Sequence, residues 1–248
     1  TAPGHWVNEG TQFEYWQDGY WLKAVSIGNE SNLVANKDFS LESNGGYYNT
    51  GLHVWGQSQA QFNGKTNIVV KNGVNTARAV YIYDNVEGTT KAEFNDDLTI
   101  STAGSSADYL YGFDVRNGGK ADIAKGLFMN DNGAITWSLF ASGADSKIDV
   151  NSTGSGEVQV IGDVGGYNGG VVNMNMNTDT SYLTAASYIT GNGEVNFDIS
   201  NSAVWNMTGS SRATDLNINN GIVDLRADKN RYSTLTAANL NGSGGIFK

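Results

Sequence analysis

What most constrains this chain is a short pattern that keeps returning. A few residues alternate between polar and apolar, then a cluster of Gly, Asn, Ser or Asp follows. Thr66–Lys71 (TNIVVK) before Asn-Gly is one case. Lys91–Phe94, Leu98–Ser101, Lys120–Ala124, Ser146–Val150, Glu157–Ile161, Val171–Met176, Glu194–Ile199, Asp215–Ile218 and Ile222–Leu225 are others. Alternation with period two, bounded by turn formers, reads as β-strand. Gly and Asn tolerate the positive φ that tight turns demand. No long stretch places apolar residues at i, i+3, i+4 and i+7, so no helix is expected.

The strands are evenly spaced. One set starts near residues 92, 121, 147, 171, 194 and 215, at intervals of 29, 26, 24, 23 and 21. Such periods mark repeat architectures. A unit of about 22 residues cannot bury both sides of its strands, so units must stack to make a core. The single Pro fits, because Pro cannot donate to a ladder and stacked strands have almost no edge. The 30 Asn fit as well. Equivalent side chains one coil apart sit about 4.8 Å from each other and can form amide ladders. Asn is equally a turn former, and at a position such as Asn220, before Gly221, both readings stand.

Composition then removes several function classes. Lys plus Arg is 15 and Asp plus Glu is 25, a net charge of −10. That is the wrong sign for a nucleic-acid binder, which must displace counterions with basic surface. No apolar run approaches the roughly 20 residues of a membrane-spanning helix. No basic stretch leads into an apolar one as in a signal peptide. The start at Thr1 and stop at Lys248 suggest a piece of something larger. The absence of Cys excludes disulfides and thiolate chemistry. Two His, at 5 and 53, are too few for most His-based metal sites, so neither metal nor cofactor is expected.

Three regions are expected. Residues 1–65 are aromatic-rich N-terminal coils or a cap, with ten aromatics by Trp55. Residues 66–201 are regular coils. Residues 202–248 are C-terminal coils, and they carry the most specific pattern in the chain. Trp205 sits in a strand, Gly209-Ser210 follows, then Leu216, Ile218, Gly221, Val223 and Leu225 in an alternating run. Leu235, Leu240, Gly242, Gly244 and Phe247 complete it. Over about Val195–Lys248 this resembles the passenger domains of type V, pertactin-like autotransporters of Gram-negative bacteria. From Thr66 to Glu194 the likeness lies in repeat style alone. The resemblance implies a right-handed parallel β-helix, of about eleven coils at about 22 residues each. It also implies export across the outer membrane, display at the cell surface, and a partner outer-membrane β-barrel that this chain lacks. The C-terminal coils would lead into a truncated autochaperone region.

Catalytic sets are incomplete. Pectin-degrading β-helix hydrolases carry Asn-Thr-Asp, Asp-Asp, Gly-His-Gly and Arg-Ile-Lys. Here Asn177-Thr178-Asp179 and Asp96-Asp97 occur in reversed order, without the other two. Two carboxylates must flank a scissile bond to work as acid and base, and nothing in the sequence pairs these. Gly143-Ala-Asp-Ser146 and Gly154-Ser-Gly156 lack the serine-protease motif, and neither His has triad context. Gly118-Gly119 and Gly165-Gly166 lack the Asp of calcium-binding repeats. The aromatics offer a binding hypothesis: Trp16, Tyr20, Trp21 and Trp55 are residue types that stack on sugars or fill a partner's pocket. The opposing reading is that they plug wide early coils. Trp137 and Trp205 read as core or coil-stacking residues.

The expected function is therefore a non-enzymatic adhesin or its stalk, binding a host or bacterial surface glycan or protein, with self-association between rods as a further possibility. One alternative is a pure scaffold that drives secretion of an effector domain upstream of Thr1. Another is a carbohydrate-active enzyme on the same solenoid.

Overall fold

The computed structural model describes residues 5–8, 12–16, 21–84, 89–102, 105–129, 135–228 and 231–248, with side chains from residue 21 onward except at 227 and 228. Among these residues every regular element is a strand. Apart from an antiparallel pair, Arg226–Asp228 with Arg231–Tyr232, the strands run in parallel and recur in order on three faces, giving a solenoid of about eight turns. Two faces hold ten strands each and the third holds seven. The sheets run unbroken past residues 65 and 201.

The strands expected from alternation lie on the first two faces. Lys91–Phe94, Lys120–Ile123, Lys147–Val150, Val171–Met176 and Glu194–Ser200 are successive rungs of the first. Thr66–Lys71, Leu98–Ser101, Val158–Ile161 and Ile222–Asp224 belong to the second. Coil length is not uniform. Gln59 pairs with Lys91, 32 residues on, and Lys91 with Lys120, 29 on. Val171 pairs with Glu194, 23 on, and Asn196 with Asp215, only 19 on. A uniform 22-residue unit would make eleven coils. The early coils are longer because each carries an extended third side.

Burial follows the pleat. On the first face one inward column reads Ala35, Phe62, Phe94, Ile123, Val150, Met174, Phe197 and Leu216. All eight are buried. The Phe62 and Phe94 rings stack at 5.0 Å and 6°. Trp205 is fully buried on the second face, 4.6 Å from Phe197, and its indole N–H donates to the Ala185 carbonyl at 3.1 Å. A buried indole needs such a partner.

The outward columns of these two faces are polar, and both expected roles of Asn occur. Asn63 donates to Asn36 at 3.0 Å and Asn95 to Asn63 at 2.7 Å, a ladder over three coils. Asn196 donates to Asn173 at 2.9 Å, and Asn173 to Asp149 at 2.7 Å. Asn72, Asn117, Asn151, Asn168, Asn201 and Asn220 instead hold positive φ at bends between strands. At Asn220 the turn reading is the one realised.

The third face was not legible as strands. It comprises Trp21–Ile27, Tyr48–Trp55, Thr76–Tyr83, Tyr109–Arg116, Trp137–Ser142, Asp163–Tyr167 and Ser187–Thr190. Its inner side packs on the core through Leu52, Val80, Phe113, Leu139 and Val164. Gly112 faces inward where a Cβ would stand 2.6 Å from the Ser138 carbonyl and 2.5 Å from Met129 Sδ. Its outer side is also covered by large side chains, so the strands do not alternate.

Candidate binding site

The parallel register stacks the outer side of the third face into columns. One runs Lys23, Thr50, Arg78, Tyr111, Trp137, Asp163. The next runs Ser26, His53, Tyr81, Asp114, Phe140, Gly165, Tyr188. A third runs Trp55, Tyr83, Arg116, Ser142, Tyr167, Thr190. Aromatic and arginine side chains thus meet across the outside of the rod.

Contacts within this layer are continuous. His53 stacks on Tyr81 at 5.0 Å and 9°. The Arg78 guanidinium lies 4.7 Å over the Tyr81 ring and 5.7 Å from that of Tyr111. Arg116 lies 5.3 Å over Phe140. Phe140 meets Tyr111, Trp137 and Tyr167 at 5.8, 5.3 and 5.0 Å. Trp137 also reaches Tyr188 at 5.5 Å, two coils away. Gly165 makes that reach possible: a Cβ there would come within 2.8 Å of both the Trp137 and Tyr167 rings.

Charge is fixed inside this layer. Asp114 is fully buried although it points outward, and each of its oxygens takes an arginine Nε. Burial drops the His53 imidazole to a pKa of about 3, and the charges of Lys23 and Arg78 push the same way. His53 is therefore neutral at pH 7, with Nδ1 3.3 Å from Ser26 Oγ. Burial, reinforced by the Asp114 carboxylate, raises the Tyr81 and Tyr111 phenols. Burial also raises Asp163, against the N–H it accepts from Ala186.

The expected binding residues fall as follows. Trp21 lies on this face, 62% exposed, stacked on Tyr48 at 4.1 Å. Trp55 lies on it too, half-buried, its indole over Gly28. Trp16 ends the strand Gln12–Trp16, and its side chain lies outside the described residues, as does Tyr20 altogether. Trp137 is a coil-stacking residue and Trp205 a core residue, as read from the sequence. Sequence reasoning missed Tyr81, Tyr83, Tyr111, Phe140, Tyr167 and Tyr188, together with Arg78, Arg116 and Asp114. The available signal was the return of aromatics about one coil apart, as in Trp55 to Tyr83 and Tyr167 to Tyr188.

The carboxylates weighed for catalysis occupy coil corners. Asp96 accepts from Lys125 Nζ at 3.1 Å and is held below the usual carboxylate range by that bond. Asp97 accepts from the Gly126 N–H at 3.3 Å. Asp179 lies in the turn before Tyr182–Ala185, three coils further on, about 14 Å at about 4.8 Å per coil. Among the described residues no group of three His, Asp or Glu is placed to hold a metal, and no helix is long and apolar enough to cross a membrane.

Comparison with family models, curated proteins and solved structures gives no match.

Proposed function

We propose that this chain is a non-enzymatic binding rod, an adhesive segment of an autotransporter passenger displayed at the cell surface. It engages a host or bacterial surface glycan or protein through the outer side of its third face. The observation that carries this reading is the aromatic and arginine layer from Trp21 to Tyr188. It leaves Trp21 62%, Tyr109 52%, Tyr188 39% and Tyr47 38% exposed. Large apolar side chains exposed along one face of a soluble rod mark interaction surface, and rings held by their neighbours cost little ordering entropy on binding. The passenger assignment rests on the C-terminal Trp205-to-Phe247 pattern and its fit to a parallel solenoid. Right-handed coiling follows the general rule for parallel crossovers. A partner outer-membrane β-barrel belongs to the same reading.

The test is a glycan and matrix-protein array with the full chain beside a Trp21→Ala, Tyr47→Ala, Tyr109→Ala variant. Specific binding that drops at least tenfold in the folded variant supports the face. Binding that is unchanged sinks it. No binding by either protein favours the scaffold reading.

A further inference from the structure

The third face stops at Ser187–Thr190. The next coil has no third-face strand: after Val204–Met207 the chain bends through Gly209 directly into Ser211–Asn219. That omission is why Asn196 and Asp215 are only 19 residues apart. Beside the shortened coil lies a groove of about 480 Å³ at the end of the aromatic layer. Tyr167 and Tyr188 form one wall, and Ser210, Arg212, Thr234 and Thr236 the other.

The groove is built rather than incidental. Ser187 Oγ donates to the Arg212 carbonyl at 2.6 Å, and the Ser187 N–H donates to Ser211 Oγ at 3.1 Å. These bonds tie the two walls together and fix the backbone that carries Arg212. Arg78, Arg116 and Arg226 are each paired with a carboxylate. Arg212 is exposed and has no ion pair among the described residues.

From this we infer that the groove binds a carboxylate-bearing sugar, a uronic acid or similar acidic pyranose. The inference rests on the glycan branch of the binding-rod reading above. An exposed tyrosine ring suits the apolar face of a pyranose. Serine and threonine hydroxyls suit its hydroxyl groups. A planar guanidinium without a partner matches a carboxylate in bidentate fashion. The volume lies within the range of small-ligand sites, about 300–1,000 Å³. The net charge of −10 opposes any anionic ligand overall, so the Arg212 guanidinium has to supply the local attraction in this groove.

Titration calorimetry tests this with the full chain and three probes: trigalacturonate, its carboxyl-reduced neutral counterpart, and a sulfated trisaccharide. The expected result is that trigalacturonate binds at least tenfold tighter than the other two. Arg212→Gln should erase that preference, and Tyr188→Ala should weaken all binding, both without change in circular dichroism. The inference is overturned by no binding of trigalacturonate at millimolar concentration, by equal binding of the neutral probe, or by undiminished preference in Arg212→Gln. Equal binding of the sulfated probe overturns the carboxylate assignment. The Trp21, Tyr47 and Tyr109 variant leaves this groove intact, so loss of array binding there and loss of trigalacturonate binding here are separate failures.

Discussion

Arg78 places its Nε 2.6 Å from Asp114 Oδ2 while Arg116 takes Oδ1 at the same distance. The carboxylate between them is fully buried, although it sits on the outward side of its sheet. Tyr81, Tyr111 and Phe140 supply the cover. The outside of the third face is thus organised like an interior. Asp114→Asn removes the countercharge from two arginines at once. Breaking a buried pair on one side costs about 3–5 kcal/mol, and Arg116, being partly exposed, places the expected loss at the lower end. Urea unfolding of the variant beside the parent protein measures it.

His53 gives stability a pH dependence of known sign. Its folded pKa is depressed to about 3 from 6.5. The unfolded chain therefore takes up the proton first as pH falls, and the folded state loses ground below pH 6.5. Between pH 7 and pH 5 the expected loss is about 2 kcal/mol. His53→Phe keeps a ring against Tyr81 and should flatten that slope in denaturant midpoints taken at both pH values.

The phenylalanine column tests the core. Phe62 and Phe94 are fully buried and stacked face to face. Phe94→Ala should cost about 3–5 kcal/mol, because atoms are lost and a cavity stays. Phe94→Leu should cost less than half of that, by the same urea measurement.

Asn151 tests the corners. Its side chain is buried, donates to the Gly156 and Asn175 carbonyls at 3.0 and 3.1 Å, and accepts from the Gly156 N–H at 2.8 Å. Its φ is 53°. Asn151→Ala leaves backbone groups unsatisfied at a φ that Ala tolerates poorly, for an expected cost of about 2–3 kcal/mol. Asn151→Gly relieves the backbone strain alone and should recover part of that loss in thermal unfolding.

Two faces of the solenoid were readable because water lies on their outer side. Glu93 and Thr99 point out where Phe94 and Ile100 point in, so the sequence alternates. The third face hid for a physical reason: Tyr48–Trp55 and Tyr109–Arg116 are buried across six successive residues each. A strand buried on both sides loses the period-two contrast between a wet and a dry face. The candidate binding layer lies on that same face, so only Trp21 and Trp55 of it were singled out for binding, and Trp137 as a core or coil-stacking residue. Arg212 was invisible for another reason, since a groove made by an omitted strand leaves no motif.

The parallel register also decides how the rod carries load. Each coil's backbone ladder is formed with the coil before and the coil after it. A pull on Lys248 therefore acts on one rung at a time, and rungs yield in order from the C-terminal end. Each 24-residue coil, such as that between Asp215 and Asn239, would pay out about 80 Å of chain at roughly 3.4 Å per residue. Such a molecule dissipates tension in small repeated steps, and its end farthest from the pull stays folded until last.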